Sequence, residues 1–67
     1  MIEALSAREK EVLNLVCRGL NNREISEILF ISIHTSKSHV KSLIHKLNAK
    51  NRTSAAYIAA RTGLIKF

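Results

Sequence analysis

The feature that most restricts what this chain can become is a helix-start signal that recurs along a sequence with no proline. Ser6-Ala7-Arg8-Glu9 is a capping box, in which the serine hydroxyl accepts from the Glu9 backbone and the Glu9 carboxylate reaches back to Ser6. Asn21-Asn22-Arg23-Glu24 repeats the pattern with asparagine as the cap. Ser32 can open a third helix, and Asn51 or Thr53 a fourth. Apolar residues follow each start at helical spacing. They are Val12, Leu13 and Val16, widened by Leu15 and Cys17; then Ile25, Ile28 and Leu29; then Ile33, Val40, Leu43, Ile44 and Leu47; then Ala55, Ile58 and Ala59. Gly19, Asn48 and Gly63 stand where left-handed helix ends are wanted. The expected helices span about residues 7–18, 22–29, 33–47 and 53–62. Together they make an all-α fold, a compact four-helix bundle containing a helix-turn-helix, as one domain over residues 1–67. Phe30 and Ile31 are too apolar for an open loop and are expected to plug the core at the tight turn.

Composition removes the other routes to a stable small domain. A chain of 67 residues has a thin core and leans on cross-links, metals, tight helix packing or a partner. Cys17 is the lone cysteine, so no disulfide can form within the chain, and it reads as a small core residue. His34, His39 and His45 lie at i, i+5 and i+11, which is wrong for a shared helical site, so neither a metal nor a cofactor is expected. No apolar run is long enough to cross a bilayer and no signal peptide is legible, which fits a reducing, cytoplasmic setting without a membrane partner. No acid is placed beside a histidine for general-base work and there is no glycine-rich phosphate loop, so an enzyme is not expected. Arg8 and Glu11, at i and i+3, read as a weak surface pair.

The charge is one-sided. All five acids lie in residues 1–27, and residues 1–33 carry Arg8, Lys10, Arg18 and Arg23 against them, a balance of −1. Residues 34–67 carry seven bases and no acid, a balance of +7. Such a half is the electrostatic footprint of a nucleic-acid binder. At about 100° per residue, the third helix puts Ile33, Ser36, Val40, Leu43, Ile44 and Leu47 on one face. His34, Thr35, Ser38, His39, Lys41, Ser42, His45 and Lys46 fall on the other, with Lys37 at the border. An ordinary solvated helix mixes both signs to gain i,i+4 pairs. Hydroxyls, imidazoles and lysines without an acid suit phosphates and base edges instead. Ser36 lies on the core-facing stripe, where its hydroxyl needs a partner, and the Ser32 carbonyl at i−4 is available. Ser26 raises the same question in the second helix. The fourth helix is apolar nearly all round, and its outer side, Ala56, Tyr57 and Ala60, is left for a partner to bury.

At these residues the chain resembles a known family. Leu5-Ser6-Ala7-Arg8-Glu9-Lys10-Glu11-Val12-Leu13 is similar to its opening L-T-x-R-E-x-E-V-L, and Gly19-Leu20-Asn21-Asn22-Arg23-Glu24-Ile25 to G-x-S-N-K-E-I. Leu29-Phe30-Ile31-Ser32, with Thr35, Lys37 and His39, is similar to L-x-I-S-x-x-T-V-K-x-H. Lys46-Leu47 through Asn51-Arg52-Thr53 with Ala55 is similar to K-L-x-x-x-N-R-T-x-A. This is the LuxR-type helix-turn-helix, the effector domain of LuxR regulators and of NarL/FixJ response regulators, and the resemblance covers roughly residues 5–62. Ser36, Ser26 and Asn48 depart from the family's usual Val, Ala and Gly.

The resemblance implies sequence-specific binding of double-stranded DNA by a bacterial-type transcriptional regulator, with the helix of residues 33–47 in the major groove. By family pattern Lys37, Ser38 and Lys41 face base edges, while Thr35, His39, Lys46 and Arg52 meet or support the phosphate backbone. The last helix, with Ala56, Tyr57 and Ala60, is the implied homodimer contact, and RNA polymerase is a further candidate partner. Family members usually carry an additional N-terminal receiver or ligand-binding domain, so the chain reads as the C-terminal effector part of a larger regulator in preference to a stand-alone one. Two readings from other classes compete. One is a protein-interaction or dimerisation module whose basic face meets an acidic partner. The other is a membrane-surface helix over residues 33–47, disfavoured because its apolar face is needed for the core.

Overall fold

The computed structural model describes residues 4–64. Four helices follow in order: α1 Ala7–Cys17, α2 Asn22–Leu29, α3 Ile33–Lys46 and α4 Arg52–Thr62. Every start is capped by the residue expected from the sequence. Ser6 and Asn21 form complete capping boxes with Glu9 and Glu24, and Ser32 accepts from the Thr35 backbone. Asn51, not Thr53, caps α4 by accepting from Ser54. Gly19, Asn48 and Gly63 take positive φ, at 85°, 55° and 76°, and turn the chain after α1, α3 and α4.

α1 and α3 form the central pair, each packing against the other three helices. The core is built from Leu5, Val12, Leu13, Val16, Ile25, Val40, Leu43, Leu47, Ala55 and Ala59, all buried. Ala55 and Ala59 of α4 lie wholly inside, and their small side chains let that helix approach closely. Leu15, Cys17, Leu20, Leu29, Ile44, Ala49 and Ile58 are partly buried around this centre. Partial burial also raises the Cys17 thiol pKa, which favours its protonated form.

Three expectations about this core are corrected. Phe30 does not plug it: the residue sits in the left-handed region at φ 57° and is 93% exposed. The turn is closed by backbone instead, since the N–H groups of Phe30 and Ile31 both donate to the Ser26 carbonyl, and only Ile31 is half-buried. Ile33 is exposed rather than core-facing, because it opens the first turn of α3, at the end of the apolar stripe. Ser36 is fully buried, yet its hydroxyl has no hydrogen-bond partner; the Ser32 carbonyl offered to it receives only the Ser36 backbone N–H. Ser26, by contrast, is satisfied, donating to the Arg23 carbonyl at 2.6 Å.

Candidate nucleic-acid interface

α2, the turn Phe30-Ile31-Ser32 and α3 form the helix-turn-helix. α3 rises about 21 Å over its 14 residues. Its core-facing residues Ser36, Val40 and Leu43 are buried, which turns the opposite side outward. Lys37, Ser38 and Lys41 are exposed on that side, within the first two-thirds of the helix. Thr35 and His39 are half-buried beside them. Thr35 is held at the cap: its N–H donates to the Ser32 hydroxyl oxygen at 3.0 Å, and that hydroxyl donates to Thr35 Oγ1 at 2.9 Å. No acid occurs in α3 or α4, so the outward lysines meet no competing carboxylate on their own helix.

The two remaining cations of the expected set bond within the domain. Lys46 Nζ donates to Glu9 Oε1 at 2.8 Å. Arg52 donates through one guanidinium nitrogen to Asn22 Oδ1 at 2.9 Å and through the other to the Leu20 carbonyl at 2.7 Å. Arg52 thereby ties the start of α4 to the α1–α2 connection and the start of α2. Both side chains thus brace the helices from within the domain. A fork-shaped, always-charged guanidinium is suited to two divergent acceptors of this kind.

The residue that sequence reasoning missed is Glu9. Its capping role is legible and present: Ser6 N–H donates to Oε1 at 2.9 Å, and Glu9 N–H donates to Ser6 Oγ at 3.1 Å. The same carboxylate also receives Lys46 on Oε1 and the Ser42 hydroxyl on Oε2, the latter at 2.6 Å. Glu9 is 5% exposed. The Lys46 ammonium, then the Ser42 hydroxyl, then the Ser6 N–H hold its pKa down at about 2 against the opposing effect of burial. Ser42 and Lys46, expected on the outer face of α3, thus lie on the flank that meets α1. The available signal was their i,i+4 spacing on a helix side adjoining the core; nothing local pointed to Glu9 as their shared acceptor.

On α4, Tyr57 is 63% exposed, Ala60 is exposed and Ala56 is half-buried. Arg61 donates to the Tyr57 hydroxyl at 3.2 Å. Ala56 borders a shallow cleft with Val16, Gly19, Leu20, Arg52 and Thr53. Among the described residues no three His, Cys, Asp or Glu side chains converge as for a metal ion, and no helix is long and apolar enough to cross a membrane.

Residues 3–59 match the family described as GerE, bacterial regulatory proteins, luxR family. The chain belongs to the luxR family. It is 44% identical over 63 residues to the transcriptional regulatory protein LiaR of Bacillus subtilis, an alignment that takes in 94% of this chain and 30% of LiaR. The structure of the transcription factor GerE superposes with a TM-score of 0.84 at 32% identity, covering 92% of each chain. A VqmA–ligand–DNA complex from Vibrio cholera superposes with a TM-score of 0.85 at 30% identity, covering 96% of this chain and 28% of that one. The chain spans about three-tenths of the length of LiaR and of the VqmA chain. It is a LuxR-type DNA-binding domain of the transcriptional-regulator class, a family of DNA-binding domains and not of enzymes.

Proposed function

We propose that this LuxR-type domain binds specific sequences of double-stranded DNA by laying α3 in the major groove, as a homodimer through α4, within a larger cytoplasmic regulator of transcription. The observation that carries the reading is the outward side of α3, where Lys37, Ser38 and Lys41 are exposed on a helix without an acid. A helix about 10–12 Å across fits a major groove about 12 Å wide. Lys37 and Lys41 donate to guanine O6 and N7, and Ser38 reaches a base edge or bridges through water. Thr35 and His39, at the margin of this face, meet phosphates. Lys46 and Arg52 hold the helices that carry these contacts. The solved VqmA–DNA complex supports the choice of DNA over an acidic protein partner, because its domain shares this fold.

The test is selection of binding sites from a random duplex library by the wild type and by Lys37→Ala and Lys41→Ala. Each substitution should weaken binding to the selected site by about 1–3 kcal/mol and relax preference at a local position. Unchanged affinity and preference in both variants would remove α3 as the reading helix.

A further inference from the structure

Apolar packing holds α3 against the domain but gives little direction, because hydrophobic burial does not depend on angle. Val40, Leu43 and Leu47 supply that burial. Directional bonds are few. Ser36, which faces the core, has an unpartnered hydroxyl. Ser32 and Thr35 bond to each other within the helix start. Among the described residues, every side-chain hydrogen bond from α3 to another helix ends on Glu9, from Ser42 to Oε2 and from Lys46 to Oε1. Glu9 is itself fixed, because the Ser6 backbone N–H donates to Oε1 and Ser6 caps the helix that carries it. The sequence Ser6, Glu9, Ser42 and Lys46 is thus a polar chain from the start of α1 to the C-terminal half of α3.

We propose that Glu9 is a positioning residue for DNA recognition: by holding Ser42 and Lys46 it sets the roll of α3 on α1, and with it the aim of Lys37 and Lys41. The proposal rests on the reading of α3 as the groove helix. Ser42 directly follows Lys41, and a bond at Ser42 limits rotation of the turn that bears that lysine. Contacts to base edges need placement within about 0.5 Å and 10–20°, whereas contacts to phosphates tolerate more. Loss of the carboxylate should therefore erode discrimination between sequences more than it erodes binding to DNA as such. Lys46, released from its anion, becomes free to attract any phosphate, which acts in the same direction.

The experiment compares the full chain with Glu9→Ala, Glu9→Gln and Ser42→Ala at a low temperature where circular dichroism shows each to be folded. The probes are the duplex selected by the wild type and a scrambled duplex of equal length. The specificity ratio should fall about tenfold in Glu9→Ala and by a smaller factor in Ser42→Ala. The scrambled-duplex affinity should stay level or rise. Glu9→Gln, whose amide can still bond Ser6, Ser42 and Lys46, should restore part of the ratio. A merely stabilising Glu9 would leave the ratio at its wild-type value in any folded variant, and that result overturns the proposal. Ser42→Ala keeps the test decisive should Glu9→Ala not fold, since it removes one bond and leaves the capping box whole. If Lys37→Ala weakens the selected site while the Glu9 and Ser42 variants leave the ratio unchanged, only this proposal fails. If the wild type selects no site, the DNA reading fails and takes the proposal with it.

Discussion

Glu9 shows how one side chain can serve local and tertiary structure together. Its carboxylate caps α1 and ties α3, and these bonds lower its pKa from the ordinary 4.5 to about 2. The unfolded chain then binds more protons than the folded one between those values, so stability rises with pH there. The contribution is fully present above about pH 5 and is lost as pH falls towards 2, on the order of 2–3 kcal/mol. Urea unfolding at pH 7 and at pH 3 should show this loss in the wild type and a shallower one in Glu9→Gln. Ser36 is the opposite case, a hydroxyl taken out of water without recompense. Ser36→Ala removes that group and should raise stability by about 1 kcal/mol, read as a higher urea midpoint at unchanged slope.

Among the elements, boundaries and caps were legible because their causes are local. A hydroxyl, amide or carboxylate within three residues of a helix start meets its partner whatever the rest of the chain does. The all-α fold, the left-handed Asn48, the core-facing Ala55 and Ala59 and the exposed Ser38 and Lys41 all follow from period and cap, while the period leaves Lys37 at the border of the two faces. The misplaced residues are those decided by tertiary approach. Phe30 was expected inside on hydrophobicity alone, yet a left-handed turn closed by two backbone donors aims it outward. The angle around α3 puts Ser42 and Lys46 on its outer face but carries no information on where α1 lies, and their acceptor is more than thirty residues away. The family pattern sets Arg52 by the phosphate backbone, and its acceptors Leu20 and Asn22 become neighbours only when α4 docks. That geometry makes a prediction. Arg52→Lys keeps the charge but cannot reach both acceptors, so it should cost about 1–2 kcal/mol of stability. The salt dependence of DNA binding by folded Arg52→Ala, which removes the charge, should stay at the wild-type slope. A slope reduced by about one would place Arg52 on a phosphate instead.

On the scale of the whole molecule, two charge facts oppose each other. Each copy carries a formal charge of +6, so two free copies repel, while paired half-sites on DNA attract both. The surface offered for their contact is small: Tyr57 and Ala60 are exposed and Ala56 is half-buried at the rim of its cleft. Ala56 and Ala60 lie one turn apart, so two copies of α4 can approach closely, and the tyrosine ring adds an amphipathic contact beside them. A patch used by both copies alike makes a two-fold contact. Its modest area against that repulsion predicts a chain that is largely monomeric alone and pairs when DNA holds two copies at high local concentration. Ala60→Glu tests this more cleanly than Ala56→Glu, because position 60 is exposed whereas position 56 adjoins Val16 and Leu20. In the proposed dimer, Ala60→Glu would bring like charges together at the two-fold contact. Cooperative binding to a duplex with two half-sites should disappear, while affinity for a single half-site and helical content stay near wild type. Cooperativity equal to wild type would move the dimer contact to another surface, and an unfolded Ala60→Glu would mean that this side of α4 supports the core.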